Sequence, residues 1–295
     1  MTTPQEEAPK ISEKLGIPKL FLKREDLHPY GSHKGRSIPI MIDMKVANGS
    51  KDFVISSSGN AALAAARYIQ KRNEEGSDLS LSILVGGRIN KDKLLALKNE
   101  IHDARITIDE APRPLQALAR IIKSDGKTGL RQSTDDEALI GYKSLADEIV
   151  VTPDLEAVFI ATSSGTTAQA LANSFIEHSE RTGARLPEIH IVQTTGISPI
   201  AQAFTAEESE PGTSLADAII DKVAHRREAL VEAIKKTKGS GWIVKNDDIR
   251  EAQKLLRENG IEATGNGALG LAGLIKALHS GKTFGGSVVV IITGK

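Results

Sequence analysis

Short apolar runs recur along the chain with helical runs between them, and this alternation constrains the fold more than any other feature. Strands joined through helices become parallel neighbours, so the pattern is typical of parallel sheets with helices on both faces. The predicted strands are Lys19 to Lys23, Asp52 to Ser56, Leu79 to Val85, Ala104 to Ile108, Ala157 to Ala161, Glu188 to Gln193, Gly241 to Lys245 and Ser287 to Ile292.

The helices are expected between these strands, where apolar residues recur at helical spacing. One of them has Asn246 as its expected cap and two acidic residues, Asp247 and Asp248, in its first turn, where the helix dipole favours negative charge. The predicted starts lie near Ser32, Asn60, Asn90, Pro112, Gly141, Thr166, Ser198, Ser214, Arg226, Asn246 and Asn266.

The composition favours a globular protein with small-molecule ligands. Of 295 residues, 40% are hydrophobic and 26% charged, which is ordinary for a folded domain, and the length suits two domains. Basic and acidic residues number 38 each, so no charge excess indicates a nucleic-acid or anionic-membrane partner. The chain has no cysteine, which excludes disulfides, thiolate catalysis and cysteine-based metal sites.

The first residues, Met1 to Lys10, are polar and include two glutamates, so they lack the features of a signal peptide. No apolar run approaches the length that spans a bilayer. The expected location is the cytoplasm.

Two loops rich in glycine and hydroxyls follow predicted strands and precede predicted helices. They are Ser56 to Asn60 and Thr162 to Thr167, and a third strand end carries Thr293-Gly294-Lys295. Backbone amides and hydroxyls at such turns can hold an anion. The same residues also serve ordinary turns and helix caps, so these loops alone leave both interpretations open.

Between a strand-like run and a helical run lies the stretch Gly31 to Arg36, with Lys34 near the expected helix start. A lysine in that position feels the positive end of the helix dipole, which disfavours its protonated form. A less protonated amine is a better nucleophile toward an aldehyde. Lys34 is therefore the candidate reactive residue, although most lysines in any protein are solvated surface groups.

Together, the segments Leu22 to Asp26, Gly31 to Lys34 and Ser57 to Asn60 resemble the fold-type II enzymes that depend on pyridoxal 5'-phosphate (PLP). This is the tryptophan synthase beta-like superfamily, and the similarity is greatest to threonine synthase-like proteins. It implies an α/β fold of two domains, each a mainly parallel twisted sheet with helices on both faces. The smaller domain would be 40–150, and the larger, PLP-binding one would combine 1–39 with 151–295.

The resemblance also assigns roles to residues. Lys34 matches the lysine that carries the cofactor and acts as the catalytic base, and Thr293 matches a hydroxyl against the pyridine nitrogen. Ser57, Ser58, Gly59 and Asn60 match the loop that holds the substrate carboxylate, with Asn60 also beside the cofactor. The cofactor phosphate loop corresponds to Ser163, Ser164, Gly165, Thr166 and Thr167. The implied partners are an amino-acid substrate and a second copy of the chain in a homodimer, and no metal is implied.

Departures from the family pattern leave the reaction open. Gly35 replaces an Asp, Thr264 lies in the segment where relatives have Glu-Pro-Ala, and Ala138 stands where threonine synthases carry an arginine for the substrate phosphate. Asp135, Asp136 and Glu137 add negative charge beside Ala138, and the expected replacement cations are Arg88, Lys91 and Lys93.

The main hypothesis is a PLP-dependent lyase of the threonine synthase type, which converts O-phosphohomoserine to threonine and phosphate. A threonine or serine dehydratase is the nearest alternative, because of the missing arginine. Two others are a phosphosugar isomerase-like domain, whose Ser- and Thr-rich loops are similar, and a relative that binds PLP without turnover.

Overall fold

The computed structural model describes residues 2–87, 89, 91–207 and 212–294, without the side chain of Lys93. The chain divides into two compact units. The larger comprises the residues through His28 together with those from Tyr142 onward, and the smaller is Pro29–Gly141. The chain passes from one unit to the other after His28 and after Gly141, whereas the predicted domain boundaries lie after residues 39 and 150. Where the functional domains end stays a prediction.

Strands and helices alternate along most of the described chain. None of the described helices combines the length and the apolar character that a membrane span requires. In chain order the elements are β1 Gln5–Glu7, α1 Pro9–Leu15, β2 Lys19–Arg24, α2 Lys34–Ala47, β3 Asp52–Ser56, α3 Asn60–Glu74, β4 Ser80–Gly86, α4 Lys91–Asn99, β5 Ile106–Ala111, α5 Pro114–Ser124, β6 Thr128–Gly129, α6 Glu137–Gly141, α7 Lys143–Val150, β7 Leu155–Ala161, α8 Thr166–Thr182, β8 Glu188–Thr194, α9 Arg227–Lys236, β9 Ser240–Val244, α10 Asn246–Glu258, α11 Gly265–His279 and β10 Ser287–Ile292.

The larger unit is built on a six-stranded sheet in the order β1-β2-β10-β7-β8-β9. Only β1 pairs in antiparallel fashion, with β2, and the other neighbours are parallel. Both faces of the sheet are covered, because every residue of β10 is buried. Val288 and Val290 pack in the same apolar cluster as α10 and α11, while Val289 between them is buried on the opposite face.

The smaller unit has a parallel four-stranded sheet in the order β5-β4-β3-β6. Phe53 and Ile55 of β3 pack with apolar residues of α2 and α3, whereas Val54 packs with Leu84 and Leu118 on the other face. Both sheets are therefore mainly parallel with helices on both faces, and the predicted α/β fold class is confirmed.

Within the larger unit, a buried ion pair connects the first residues of the chain to helix α7. Lys23 of β2 is 1% exposed, and its ammonium donates to the carbonyl oxygen of Thr3 at 2.7 Å and to Oε2 of Glu148 at 2.5 Å. The Thr3 hydroxyl donates to Oε1 of Glu25 at 2.5 Å. A charge with so little water around it is stable only while its partners remain.

Every predicted strand is present, with bounds shifted by a few residues, but two predicted helices are wrong. The stretch near Ser198 forms only a 3₁₀ turn at Ala201–Ala203, and 212–226 is irregular. The backbone there is held by side chains instead of by helical bonds. Asn246 accepts from the amide of Leu215 at 2.8 Å rather than capping α10, whose cap residue is Lys245. The predicted helix start at Asn90 lies outside the described residues.

Candidate active site

In the smaller unit, Lys34 is the first residue of α2, as the sequence predicts. Gly31 just before it has φ of +90°, a conformation that L residues with side chains rarely adopt. A Cβ there would also lie 3.1 Å from Cδ2 of Leu63. The hydroxyl of buried Ser32 accepts from the Lys34 amide at 3.2 Å and starts the helix. The turn therefore fixes where the Lys34 side chain leaves the backbone.

Among the described lysines, Lys34 has the pKa that departs most from its ordinary value. Its side chain is half-buried, and burial, which disfavours the charged form, lowers its pKa to about 8. The direction is the one expected from the sequence, although the cause is desolvation. An amine with this pKa is neutral in a large fraction of molecules near pH 8, so it can attack an aldehyde.

The lowered pKa predicts how the reactivity of Lys34 changes with pH. In the apoprotein, acylation of Lys34 by acetic anhydride should rise about ten-fold per pH unit up to pH 8 and level off above it, because only the neutral amine reacts. Competitive labelling followed by peptide mapping measures this lysine apart from the others. Labelling of Lys34 that still rises steeply between pH 9 and 10 would contradict the shift.

The second candidate loop, Ser57 to Asn60, follows β3 and leads directly into α3. Ser58 and Gly59 are exposed. The Gly59 amide donates to Oγ of Ser57 at 3.3 Å, and the Gly59 carbonyl accepts the helical bond of Leu63 at 3.1 Å. Amides and hydroxyls at the N-terminus of a fifteen-residue helix suit a carboxylate. That Asn60 and its neighbours hold the substrate stays a prediction.

In the larger unit, Ser163 to Thr167 joins β7 to α8, whose first residue is Thr166. Gly165 precedes the helix with φ of +91° and accepts from the Gln169 amide at 2.8 Å. The hydroxyls of Ser164 and Thr166 lie 3.0 Å apart. This loop has the form expected of a phosphate cradle, with a long helix behind it.

The Ser163 hydroxyl has a contact that the sequence did not predict. Its oxygen accepts from the backbone amides of Ile220 at 3.1 Å and Asp221 at 3.2 Å. The hydroxyl hydrogen is still available as a donor. Ser163 thus ties the loop to the irregular segment 212–226, which we call the strap.

The strap is held at further points by carboxamides. Asn266 accepts from the amide of Ala218 at 2.9 Å and donates to Oδ1 of Asp217 at 3.0 Å, while Asn246 donates to the Thr213 carbonyl at 2.9 Å. The strap therefore runs along the ends of α10, α11 and the loop before α8. No pattern in the sequence distinguishes these asparagines from ordinary caps.

Thr293 follows the buried strand β10 and is 4% exposed. Its hydroxyl donates to the carbonyl of Asn266 at 3.3 Å, and a Cβ on Gly267 would lie 2.7 Å from the Gly294 carbonyl oxygen. The first turn of α11 is thus pressed against the strand end, which orients the hydroxyl. Its role toward a pyridine nitrogen stays a prediction.

The acidic stretch beside Ala138 is partly neutralised. The ammonium of Lys45 lies 3.5 Å from Oδ2 of Asp135 and 3.3 Å from Oε2 of Glu137. Ala138 is fully buried, and its carbonyl accepts from the Ser37 hydroxyl at 3.0 Å. Of the expected replacement cations, Lys91 is exposed in the first turn of α4, and Arg88 and the side chain of Lys93 lie outside the described residues.

These residues fit PLP by their chemistry. The cofactor needs an amine of lowered pKa, an anion cradle for its phosphate and a partner for its ring nitrogen. Lys34 in the smaller unit provides such an amine, and the loop before α8 and Thr293 in the larger unit provide groups of the other two kinds. The loop and Thr293 each follow the carboxyl end of a parallel strand, where ligands of such sheets bind.

The comparison with protein families identifies the class. The profile of the pyridoxal-phosphate dependent enzymes matches residues 1–294, so the chain belongs to this family and PLP is its cofactor. An amino-acid substrate fits an enzyme of this family. The match covers the hydroxyl-rich loops as well, which assigns them to PLP enzymes rather than to sugar isomerase domains.

Comparison with individual proteins shows which members of this family the chain is similar to. The chain is similar to threonine synthase of Bacillus sp. (strain ULM1), with 28% identity over 96% of this chain and 79% of that protein. The identity to threonine synthase of Mycobacterium leprae is also 28%, and the aligned part covers 99% of this chain and 80% of that protein. Among solved structures, threonine deaminase isoform 2 of Solanum lycopersicum has a TM-score of 0.82 at 20% identity, covering 100% of this chain and 84% of that one. At that identity, the structural likeness shows the fold.

Proposed function

We propose that the protein is a PLP-dependent lyase that carries out elimination or replacement on an amino-acid side chain, in the manner of threonine synthase. The observation that carries this proposal is Lys34, an amine of pKa about 8 at the start of α2. Similarity to threonine synthases over 96% to 99% of this chain supports it. The enzyme would convert O-phosphohomoserine to threonine and phosphate.

In this proposal each part of the site has one task. When bound, PLP withdraws electrons from the substrate's α carbon and acidifies its hydrogen. Lys34 takes that proton and returns a proton later, as a general base and acid near its pKa. Amides and hydroxyls of Ser57 to Asn60 would hold the substrate carboxylate, and Ser163 to Thr167 would hold the cofactor phosphate. Thr293 would turn its hydroxyl hydrogen from the Asn266 carbonyl to the ring nitrogen and bond it without protonating it, which favours elimination over transamination.

A second candidate reaction is the dehydration of threonine or serine to an oxo acid and ammonia. Ala138 favours it, because an alanine offers no charge at the position where threonine synthases carry an arginine for the substrate phosphate. The positive charge of Lys45 is already paired with Asp135 and Glu137. These three residues together therefore add no net positive charge that could attract a substrate phosphate.

The two reactions predict different substrate preferences. Losing one charge-assisted contact costs about 1.5 to 3 kcal/mol, or roughly ten- to a hundred-fold in affinity. If the reaction is the dehydration, kcat/KM for O-phosphohomoserine should lie at least about ten-fold below that for threonine, whereas the threonine synthase reaction predicts the opposite order. Phosphate release and oxo-acid formation are measured on the same preparation. Efficient turnover of the phosphorylated substrate, unaffected by Lys91→Ala, would reject the charge argument and establish the threonine synthase reaction.

The proposal includes assembly as a homodimer in the cytoplasm. Large apolar side chains that are well exposed in the isolated chain support self-association, among them Val151 at 75% and Ile140 at 54%. Light scattering of the purified protein tests the dimer, and Val151→Asp should shift it toward a monomer. Cell fractionation tests the location.

A further inference from the structure

The side chain of Gln193, near the end of β8, connects two segments of the larger unit. Gln193 is fully buried. Its Nε2 donates to the carbonyl oxygens of Thr162 at 3.3 Å and Ser163 at 3.4 Å. Its Oε1 accepts from the backbone amides of Ile200 and Ala201, both at 2.9 Å. Gln193 therefore joins the proposed phosphate loop to the turn that follows β8.

The chemistry of a carboxamide fixes this arrangement. A glutamine side chain has two N–H donors and two acceptor lone pairs, and Gln193 uses all four. Rotating its carboxamide by half a turn would point the oxygen at two carbonyl oxygens and the N–H groups at two backbone amides. The orientation is thus set by the backbone groups, and the side chain holds both segments at once.

The loop also packs against the turn that Gln193 holds. Gly165 has φ of +91°, and a Cβ there would lie 3.2 Å from Cδ1 of Ile200 and 2.7 Å from Cδ2 of Leu230. The loop backbone thus approaches the same residue whose amide donates to Gln193. It has little room to shift toward the turn, while the bonds of Gln193 keep it from moving away.

The bonds of Gln193 decide the direction of two loop amides. The described chain has no cis peptide bond, and in a trans peptide the C=O and the following N–H point to opposite sides. Because the carbonyls of Thr162 and Ser163 point at Gln193, the amides of Ser163 and Ser164 point away from it. These donors are therefore oriented before an anion arrives, which removes part of the ordering cost of binding.

We propose that Gln193 is a positioning residue for the cofactor phosphate. By holding two carbonyls of the loop, it aims the amides of Ser163 and Ser164 at the phosphate. The inference rests on the proposed function, because it needs the phosphate on this loop. Its consequence concerns pyridoxal, which has the same aldehyde and ring as PLP but no phosphate. The preference of the apoprotein for PLP over pyridoxal depends on the Gln193 carboxamide.

The test compares dissociation constants for PLP and pyridoxal in the apoprotein, measured by equilibrium dialysis without any need for turnover. Gln193→Glu keeps the length and the acceptors but has no hydrogen for the loop carbonyls. Gln193→Met also removes the donors and adds no charge, which separates lost donors from repulsion of the phosphate. The control is Gln253→Glu, the same change at a half-buried glutamine of the same unit, whose Nε2 donates to the Ala263 carbonyl at 2.9 Å.

We expect Gln193→Met and Gln193→Glu each to weaken PLP at least about ten-fold, equal to about 1.4 kcal/mol, and to leave pyridoxal within about two-fold of the parent. Gln253→Glu should change neither ligand. A Met variant that keeps the parent's ratio of the two constants, or variants that weaken both ligands equally, would overturn the proposal.

A measurement on the unaltered protein tests the inference even if neither variant folds. Hydrogen–deuterium exchange of the peptide that contains Ile200 and Ala201 should be slowed at least about three-fold more by PLP than by pyridoxal. The reason is that a phosphate that fixes the loop also fixes Gln193 and the amides that donate to it. Equal protection by the two ligands would overturn the inference.

Failure of the proposed function has a different signature. A parent protein that binds PLP without attaching it to Lys34 would contradict the proposed function, whatever the variants do. A parent that attaches PLP to Lys34 and prefers it to pyridoxal, beside a Gln193→Met variant with the same preference, would overturn only the role of Gln193.

Discussion

Replacing Lys34 with alanine should abolish covalent attachment of PLP and lower kcat by at least about a thousand-fold, within the range of general acid–base catalysis. The reason is that the proposal gives Lys34 both the bond to the cofactor and the proton at the substrate's α carbon. Borohydride reduction of the PLP-loaded protein, followed by peptide mapping, measures the attachment, and product formation measures the rate.

A matched control for this prediction is Lys45→Ala, in the same helix α2. Lys45 pairs with Asp135 and Glu137 instead of belonging to the proposed site. Its variant should still fix PLP to Lys34. Recovery of a borohydride-stable PLP adduct from the Lys34→Ala protein would show that another lysine carries the cofactor.

Removing the carboxylate of Glu148 should destabilise the larger unit by about 3 to 5 kcal/mol, since Glu148→Ala leaves the buried Lys23 ammonium without its counter-charge. Lys23→Met should cost less, because the Glu148 side chain is 17% exposed and can be hydrated when its partner is lost. Urea unfolding followed by Trp242 fluorescence gives the free energy of unfolding of each variant.

The control is Glu177→Ala, which breaks an exposed pair with Lys143 at 3.7 Å. Exposed pairs contribute about 0 to 1 kcal/mol, so this change should be nearly silent. If Glu148→Ala were as mild as Glu177→Ala, or milder than Lys23→Met, the ion pair would not be what holds the chain start in place.

Much of the fold could be predicted from the sequence because strands buried on both faces are continuous apolar runs. Ser287 to Ile292 is a clear case, and its predicted bounds agree with β10. The short β1 and β6 and the polar helix α1 were not predicted, since they depend on pairing and packing with distant residues. The predicted helix at Ser214 is wrong because Asn246 and Asn266, far along the chain, bond the strap's backbone amides.

The local parts of the candidate site were also predictable. Lys34 and Thr166 begin helices where the sequence places them, because the preceding glycine and hydroxyl residues form the turns. The contact of the Ser163 hydroxyl with the strap could not be found in this way. The backbone amides that it accepts from, those of Ile220 and Asp221, lie far along the chain, and their approach to Ser163 is a property of the folded chain.

The position of β10 has a consequence for synthesis of the protein. This last strand lies between β2 and β7, pairing Val288 with Leu20 across most of the chain. On the ribosome, β2 therefore has no parallel neighbour until residues 287–292 have been synthesised, whereas all strands of the contiguous unit Pro29–Gly141 are synthesised much earlier. Nascent chains should acquire protease resistance in Pro29–Gly141 first, and a stop codon before Ser287 should leave the larger unit without its central strand.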